Sequence, residues 1–124
     1  MTQKTVLVAD DEPSIQISLE YLLEQAGYRV CKAHDGQEAL EQALQHRPDL
    51  ILLDVMMPRL NGFDVCSRLR AEPSMAGARI VMLTAKGRDV EISQGMALGA
   101  DAYVTKPFST RDLMATIASL LGQG

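Results

Sequence analysis

Four apolar runs in this chain each end on a residue able to do chemistry. Leu50-Ile51-Leu52-Leu53 stops at Asp54, Thr5-Val6-Leu7-Val8-Ala9 at Asp10-Asp11, Ile80-Val81-Met82-Leu83 at Thr84, and Ala102-Tyr103-Val104-Thr105 at Lys106. Short unbroken apolar runs are the pattern of strands buried on both faces of a parallel sheet. If the four lie side by side, three carboxylates, a hydroxyl and an ammonium meet at the carboxyl edge, where open α/β sheets bind their ligands. Each residue has a plainer role when taken singly. Asp10 and Asp11 would cap a helix, Asp54 would open a loop, Thr84 would end a strand and Lys106 would sit in solvent. Their joint occurrence at four strand ends makes that plainer explanation a poor one.

Three carboxylates forced together repel and raise one another's pKa unless cations join them. Lys106 and one divalent cation would balance their charge. An all-oxygen, carboxylate-rich shell with room for water suits Mg²⁺, which keeps several waters and bridges to phosphate oxygens. A carboxylate is also a nucleophile toward phosphorus, giving an aspartyl phosphate. Asp54, expected at the rigid middle of the sheet, is the candidate acceptor, with Mg²⁺, Lys106 and the Thr84 hydroxyl gathering the phosphoryl oxygens.

The segments between these runs read as the elements that position them. Asp11-Glu12-Pro13 starts a helix from a carboxylate cap region, and Ile15, Leu19, Leu22, Leu23 and Ala26 recur at helical spacing until Gly27. Tyr28, Val30 and Ala33, interrupted by Arg29 and Lys32, make a less apolar strand placed at an edge. Asp35 and Glu38 resemble a capping box before a helix buried through Ala39, Leu40, Ala43 and Leu44. After Asp54, Pro58 and Asn61-Gly62 predict a loop over the sheet edge, followed by a helix with Val65, Cys66 and Leu69 inward. A fourth helix, after the polar stretch Ala85-Lys86-Gly87-Arg88-Asp89, has only Ile92 and Met96 as its apolar stripe, so its packing is expected to be light. A last helix, capped by Ser109 or Thr110, is buried through Leu113, Ile117, Leu120 and Leu121.

Five strands alternating with five helices predict an α/β, doubly wound (βα)5 flavodoxin-like three-layer sandwich with right-handed crossovers. The expected strand order, 2-1-3-4-5, is taken from known folds of that kind and not from periodicity. It brings Asp10, Asp11 and Asp54 to the crevice where the order reverses.

At 124 residues the chain fits one domain, expected over residues 4–121 with no output domain attached. A net charge of -4 and a pI near 5.1 argue against a nucleic-acid or anionic-membrane surface. The N-terminus lacks a signal pattern and no run reaches membrane-spanning length, so a cytoplasmic protein is expected. Cys31 and Cys66 lack paired ligand spacing and read as buried free thiols. His34 and His46 read as surface residues without a partner at ligand spacing.

The residues resemble the receiver domain of two-component response regulators over nearly the whole chain. The matching pieces are Val6-Leu7-Val8-Ala9-Asp10-Asp11, Leu52-Leu53-Asp54-Val55-Met56-Met57-Pro58 with Asn61-Gly62, Leu83-Thr84-Ala85, and Gly99 through Phe108. That resemblance implies a phosphoryl group taken onto Asp54 from a histidine kinase, a phosphotransfer protein or a small donor such as acetyl phosphate. It implies Mg²⁺ held directly by Asp11 and Asp54, mainly through water by Asp10, and by the backbone carbonyl of Met56. Thr84 and Tyr103 match the family's switch pair, and Lys106-Pro107 its lysine followed by a cis peptide bond. Met56 and Lys86 match positions flanking the path of an attacking water. The face of the fourth helix, fifth strand and fifth helix, including Arg88, Glu91 and Arg111, is then expected to bind a downstream partner, an output domain or a second copy. Such a chain is a signalling phosphoacceptor that takes part in its own phosphorylation and dephosphorylation, and not an enzyme.

Readings from other classes fit the residues less well. A haloacid dehalogenase-like phosphatase wants a second Asp where this chain has Met56. A flavodoxin-like FMN protein wants a Gly- and hydroxyl-rich loop where it has Asp10-Asp11-Glu12-Pro13. A non-phosphorylated interaction module that merely keeps the fold is the remaining alternative.

Overall fold

The computed structural model describes residues 3–85 and 88–122, so Lys86 lies outside the described residues. Five strands, β1 (Thr5–Ala9), β2 (Arg29–Ala33), β3 (Leu50–Asp54), β4 (Arg79–Ala85) and β5 (Ala102–Lys106), form one sheet in the order β2-β1-β3-β4-β5. Every pairing is parallel. The helices are α1 (Pro13–Gln25), α2 (Gly36–His46), α3 (Gly62–Arg70), α4 (Asp89–Ala97) and α5 (Thr110–Leu120). A short 3-10 turn at Pro73–Met75, which the sequence pattern did not reveal, follows α3.

Each strand residue faces one of two cores, as the two-residue period requires. Val6, Val8, Leu50, Leu52, Val81 and Leu83 pack with Leu19 and Leu23 of α1 and Leu113 and Ile117 of α5. Leu7, Ile51, Leu53, Ile80 and Met82 face Ala39 and Ala43 of α2 and Val65, Cys66 and Leu69 of α3. Full burial of one such side chain stabilises by about 1.5–3 kcal/mol, so a strand like β3, buried at every position, is anchored from both sides.

Helix starts follow the capping residues with some exchange of partners. The side chains of Asp35, Asn61 and Ser109 accept from the N–H groups of Glu38, Asp64 and Asp112. In the expected capping box Glu38 would reach back to Asp35, but its carboxylate instead accepts the backbone N–H and contacts the ring of His34. His34 therefore has an i,i+4 partner, although both histidines are exposed as expected. Glu12 stands at the N-cap of α1 without a side-chain capping bond. Leu44, expected inward, is largely exposed.

The largest departure is in α4, whose buried positions are Glu91 and Gly95, while Ile92 is half-buried and Met96 exposed. The reason is steric. A Cβ on Gly95 would lie 3.1 Å from Met82 Cγ, so the helix approaches the sheet along the line that lacks a side chain. Both cysteines are free, Cys66 buried and Cys31 half-buried. No helix among the described residues is long and apolar enough to cross a membrane.

Two loops are pressed together where α2 begins. A Cβ on Gly36 would fall 1.9 Å from the Leu60 carbonyl oxygen, whereas one on Gly77 would meet nothing within 4 Å. Gly36→Ala is expected to cost about 1–3 kcal/mol, as overpacking does. Gly77→Ala should leave stability unchanged or slightly higher. Urea unfolding of the two variants checks the contrast.

Candidate functional site

The carboxyl edge gathers side chains that continue one face of the strands. Asp10, Asp54 and Lys106 follow Val8, Leu52 and Val104 at two-residue spacing and so leave the sheet on the α1 and α5 side. Lys106 Nζ lies 2.8 Å from Asp10 Oδ2, 3.2 Å from Glu12 Oε1 and 3.3 Å from Asp54 Oδ2. Carboxylate oxygens of Asp10, Glu12 and Asp54 all lie within 4.8 Å of one another. Asp11, Glu12, Asp54, Met56, Ala85 and Lys106 line the cleft above them, about 380 Å³ in volume.

Asp11 thus faces the expected cleft, but the third carboxylate in the close cluster belongs to Glu12. The sequence reading passed over Glu12 because it resembled a helix-start residue. No signal in the sequence singled it out, because the turn in which Asp10 Oδ1 accepts the Glu12 N–H at 2.9 Å exists only in the fold. The Glu12 carboxylate is left to turn toward Lys106.

Burial and charge oppose each other at Asp54. Burial first, and then the Asp10 charge, push its carboxyl from 3.8 up to about 6, against the Lys106 ammonium and the Met56 N–H, which favour the ionised form. That N–H donates to Asp54 Oδ1 at 3.2 Å. The Met56 side chain itself is 69% exposed. Burial lowers the Lys106 pKa, but the hydrogen bond to Asp10 and the charges of Asp54 and Asp10 outweigh it, so the ammonium is held above its ordinary range.

Thr84 lies on the other face of β4, in line with Met82 and only 1% exposed. Its hydroxyl has no hydrogen-bond partner among the described residues. Tyr103, in register with Met82, is 47% exposed. The peptide bond between Lys106 and Pro107 is cis. Glu91, expected on an exposed docking face, is 8% exposed and bonds to Arg88 at 2.8 Å, so it is removed from that face, which keeps the exposed Arg88 and Arg111.

The donor chemistry fits Mg²⁺. Three clustered carboxylates against one ammonium leave an excess of negative charge, and every ligating atom on offer is a hard oxygen.

Residues 6–118 match the family model described as the response regulator receiver domain. The chain is 49% identical over 118 residues to the alkaline phosphatase synthesis transcriptional regulatory protein PhoP of Bacillus subtilis, covering 95% of this chain and 48% of that regulator. It therefore spans about half the length of that relative. Among solved structures it is similar to the chemotaxis response regulator CheY4 of Vibrio cholerae, with a TM-score of 0.90, 35% identity and coverage of 96% of this chain and 99% of that one. It is also similar to the receiver domain of the sensor histidine kinase PA1611 of Pseudomonas aeruginosa, with a TM-score of 0.89, 29% identity and coverage of 98% and 99%. In that structure a magnesium ion is coordinated in the active-site cleft. With nearly its whole length matched and its strands in the flavodoxin-like order, the chain belongs to the response regulator receiver domains of two-component signalling.

Proposed function

We propose that this chain accepts a phosphoryl group on Asp54 in a Mg²⁺-dependent reaction and signals the change through the face formed by α4, β5 and α5. The observation that carries this reading is the Asp54 carboxylate, buried at the centre of the edge with the Lys106 ammonium 3.3 Å away. Mg²⁺, when bound, supplies positive charge to the phosphoryl oxygens, and Asp10, Asp11, Asp54 and the Met56 carbonyl, with Glu12 beside them, are the groups that would hold it. An Asp54 oxygen attacks phosphorus while the bond to the donor's nitrogen or oxygen breaks, and the donor leaves with that electron pair. Lys106 balances the charge gathered on the acceptor, and the Thr84 hydroxyl donates to a phosphoryl oxygen.

The donor is a histidine kinase, a phosphotransfer protein or acetyl phosphate, and the chain acts on no separate substrate. The receiving partner is a downstream protein or an output domain, with a phosphorylation-dependent second copy as a further form of the same contact. The setting is cytoplasmic, in keeping with the family.

Thr84 supports the output half of this reading. Its buried hydroxyl lacks a partner, and a phosphoryl group on Asp54 would supply one. Turning Thr84 toward it frees space on the α4 side of the sheet, into which the Tyr103 ring can move. Moving a two-state equilibrium from 1:99 to 99:1 takes about 5.5 kcal/mol. Charge-assisted hydrogen bonds of about 1.5–3 kcal/mol each are of that order when two or three form together.

Incubation with acetyl phosphate and Mg²⁺ should add one phosphate mass to the parent and none to Asp54→Asn. Labelling of the variant at the parent's level would place the acceptor elsewhere.

Asp54 also sets a pH dependence. A carboxyl whose folded pKa is about 6 against 3.8 binds more protons folded than unfolded, so stability declines as pH rises through that window. At about 1.4 kcal/mol per unit, the ceiling on the deficit above pH 6 is about 3 kcal/mol. Asp54→Asn should therefore be more stable than the parent at pH 7 by up to that amount, with a smaller gain at pH 4. Urea unfolding in a metal chelator measures both.

Adding beryllofluoride should move NMR signals in α4 and β5 of the parent, and Thr84→Ala should suppress those changes while leaving the ones around Asp54. Undiminished α4 shifts in that variant would break the proposed link.

A further inference from the structure

Among the described buried polar side chains, Asp10, Asp54 and Thr84 belong to the site and Glu91 is paired with Arg88. Gln16 remains without a role. It lies in α1, 3% exposed, among positions that the helical period assigns to apolar residues. Its Nε2 donates to the Asp10 carbonyl at 2.8 Å and to the Ala33 carbonyl at 2.5 Å. Ala33 ends β2, and its carbonyl also receives the Asp10 N–H at 3.1 Å. A single side-chain amide thus joins the end of β2 to the first residue beyond β1, from a helix that starts three residues later.

The bond to the Asp10 carbonyl has a geometric consequence. That oxygen belongs to the peptide leading into Asp11, and a planar peptide held at its oxygen has its orientation set. On the other side of the turn the Glu12 N–H is held by Asp10 Oδ1 at 2.9 Å. Asp11 lies between these two restraints, and the restrained groups belong to Asp10 and Glu12, whose carboxylates meet at Lys106. A side chain of the same size without N–H donors would leave the buried Asp10 carbonyl unpaired, and the peptide would be free to turn.

We propose that Gln16 is a positioning residue for the Mg²⁺ and phosphoryl site, acting by fixing the peptide plane from which Asp10, Asp11 and Glu12 present their carboxylates. The proposal rests on the reading of Asp54 as a Mg²⁺-assisted phosphoacceptor. It predicts a loss of ion affinity from a residue that touches neither ion nor phosphoryl group.

The test titrates Mg²⁺ into the parent, Gln16→Met and Gln16→Ala, following backbone amide NMR signals of residues 10–12 and 54. Ile117→Val, which loosens the core without touching the acidic turn, serves as the control. In both Gln16 variants the Asp11 and Glu12 amides should shift before Mg²⁺ is added, and Mg²⁺ affinity should fall by about tenfold or more, the scale seen when an outer partner of a metal ligand is lost. The control should stay within about twofold of the parent, well below that scale. Parent-like affinity in Gln16→Met overturns the proposal, and so does equal weakening in Ile117→Val, which would reduce the effect to general stability. A parent that shows no Mg²⁺ response at Asp54 overturns the site reading itself and the proposal with it, an outcome distinct from the other two.

Discussion

One ammonium set among three carboxylates is the constraint on which the rest of this structure depends. Lys106 bridges Asp10, Glu12 and Asp54 at 2.8, 3.2 and 3.3 Å, joining the last strand to the first and the central one. It cannot neutralise them all. Burial first, and then the Asp10 charge that Lys106 leaves uncompensated, raise the Asp54 carboxyl, and a cation would relieve that charge. A site of this kind is costly to the folded chain, and positive charge brought to it would lower that cost. Such conflict between stability and charge arrangement is common where proteins do chemistry.

The scaffold keeps this conflict local. β3 is buried at every position and lies between β1 and β4, so Asp54 projects from the part of the sheet with least freedom to move. Parallel pairing starts all strands at one edge and ends them at the other, which collects the strand-end side chains without any loop having to carry them.

The two ends of α4 are built differently. At its C-terminal end Arg70 donates to the carbonyls of Gly99 and Ala78 and to the Asp101 carboxylate, tying α3, the start of β4 and the approach to β5 together. At the other end Arg88 stands at the N-cap with no side-chain capping bond, and Val90 is among the most exposed apolar residues.

Much of this was legible in the chain because apolar runs and their endpoints obey a simple geometric rule. A two-residue period fixes which strand residues face each core, and the residue that ends a buried run must emerge at the sheet edge. From that alone Asp10, Asp54, Thr84 and Lys106 could be placed at strand ends, and the alternation of strands and helices predicted the doubly wound class. The family resemblance supplied the strand order and the cis bond before Pro107. What only the tertiary structure decided concerns residues whose partners lie far away in sequence or whose direction depends on a turn. Lys106 meets Asp10 across 96 positions, and Glu12, not Asp11, completes the close cluster, in a turn where Asp10 Oδ1 holds the Glu12 N–H. Glu91 turns inward because α4 settles on the sheet along Gly95, a contact that no stripe of apolar residues announces. Gln16 is hidden for the same reason. Hydropathy reads it as a surface residue, and only the joint presence of the Ala33 and Asp10 carbonyls gives its amide something to bind.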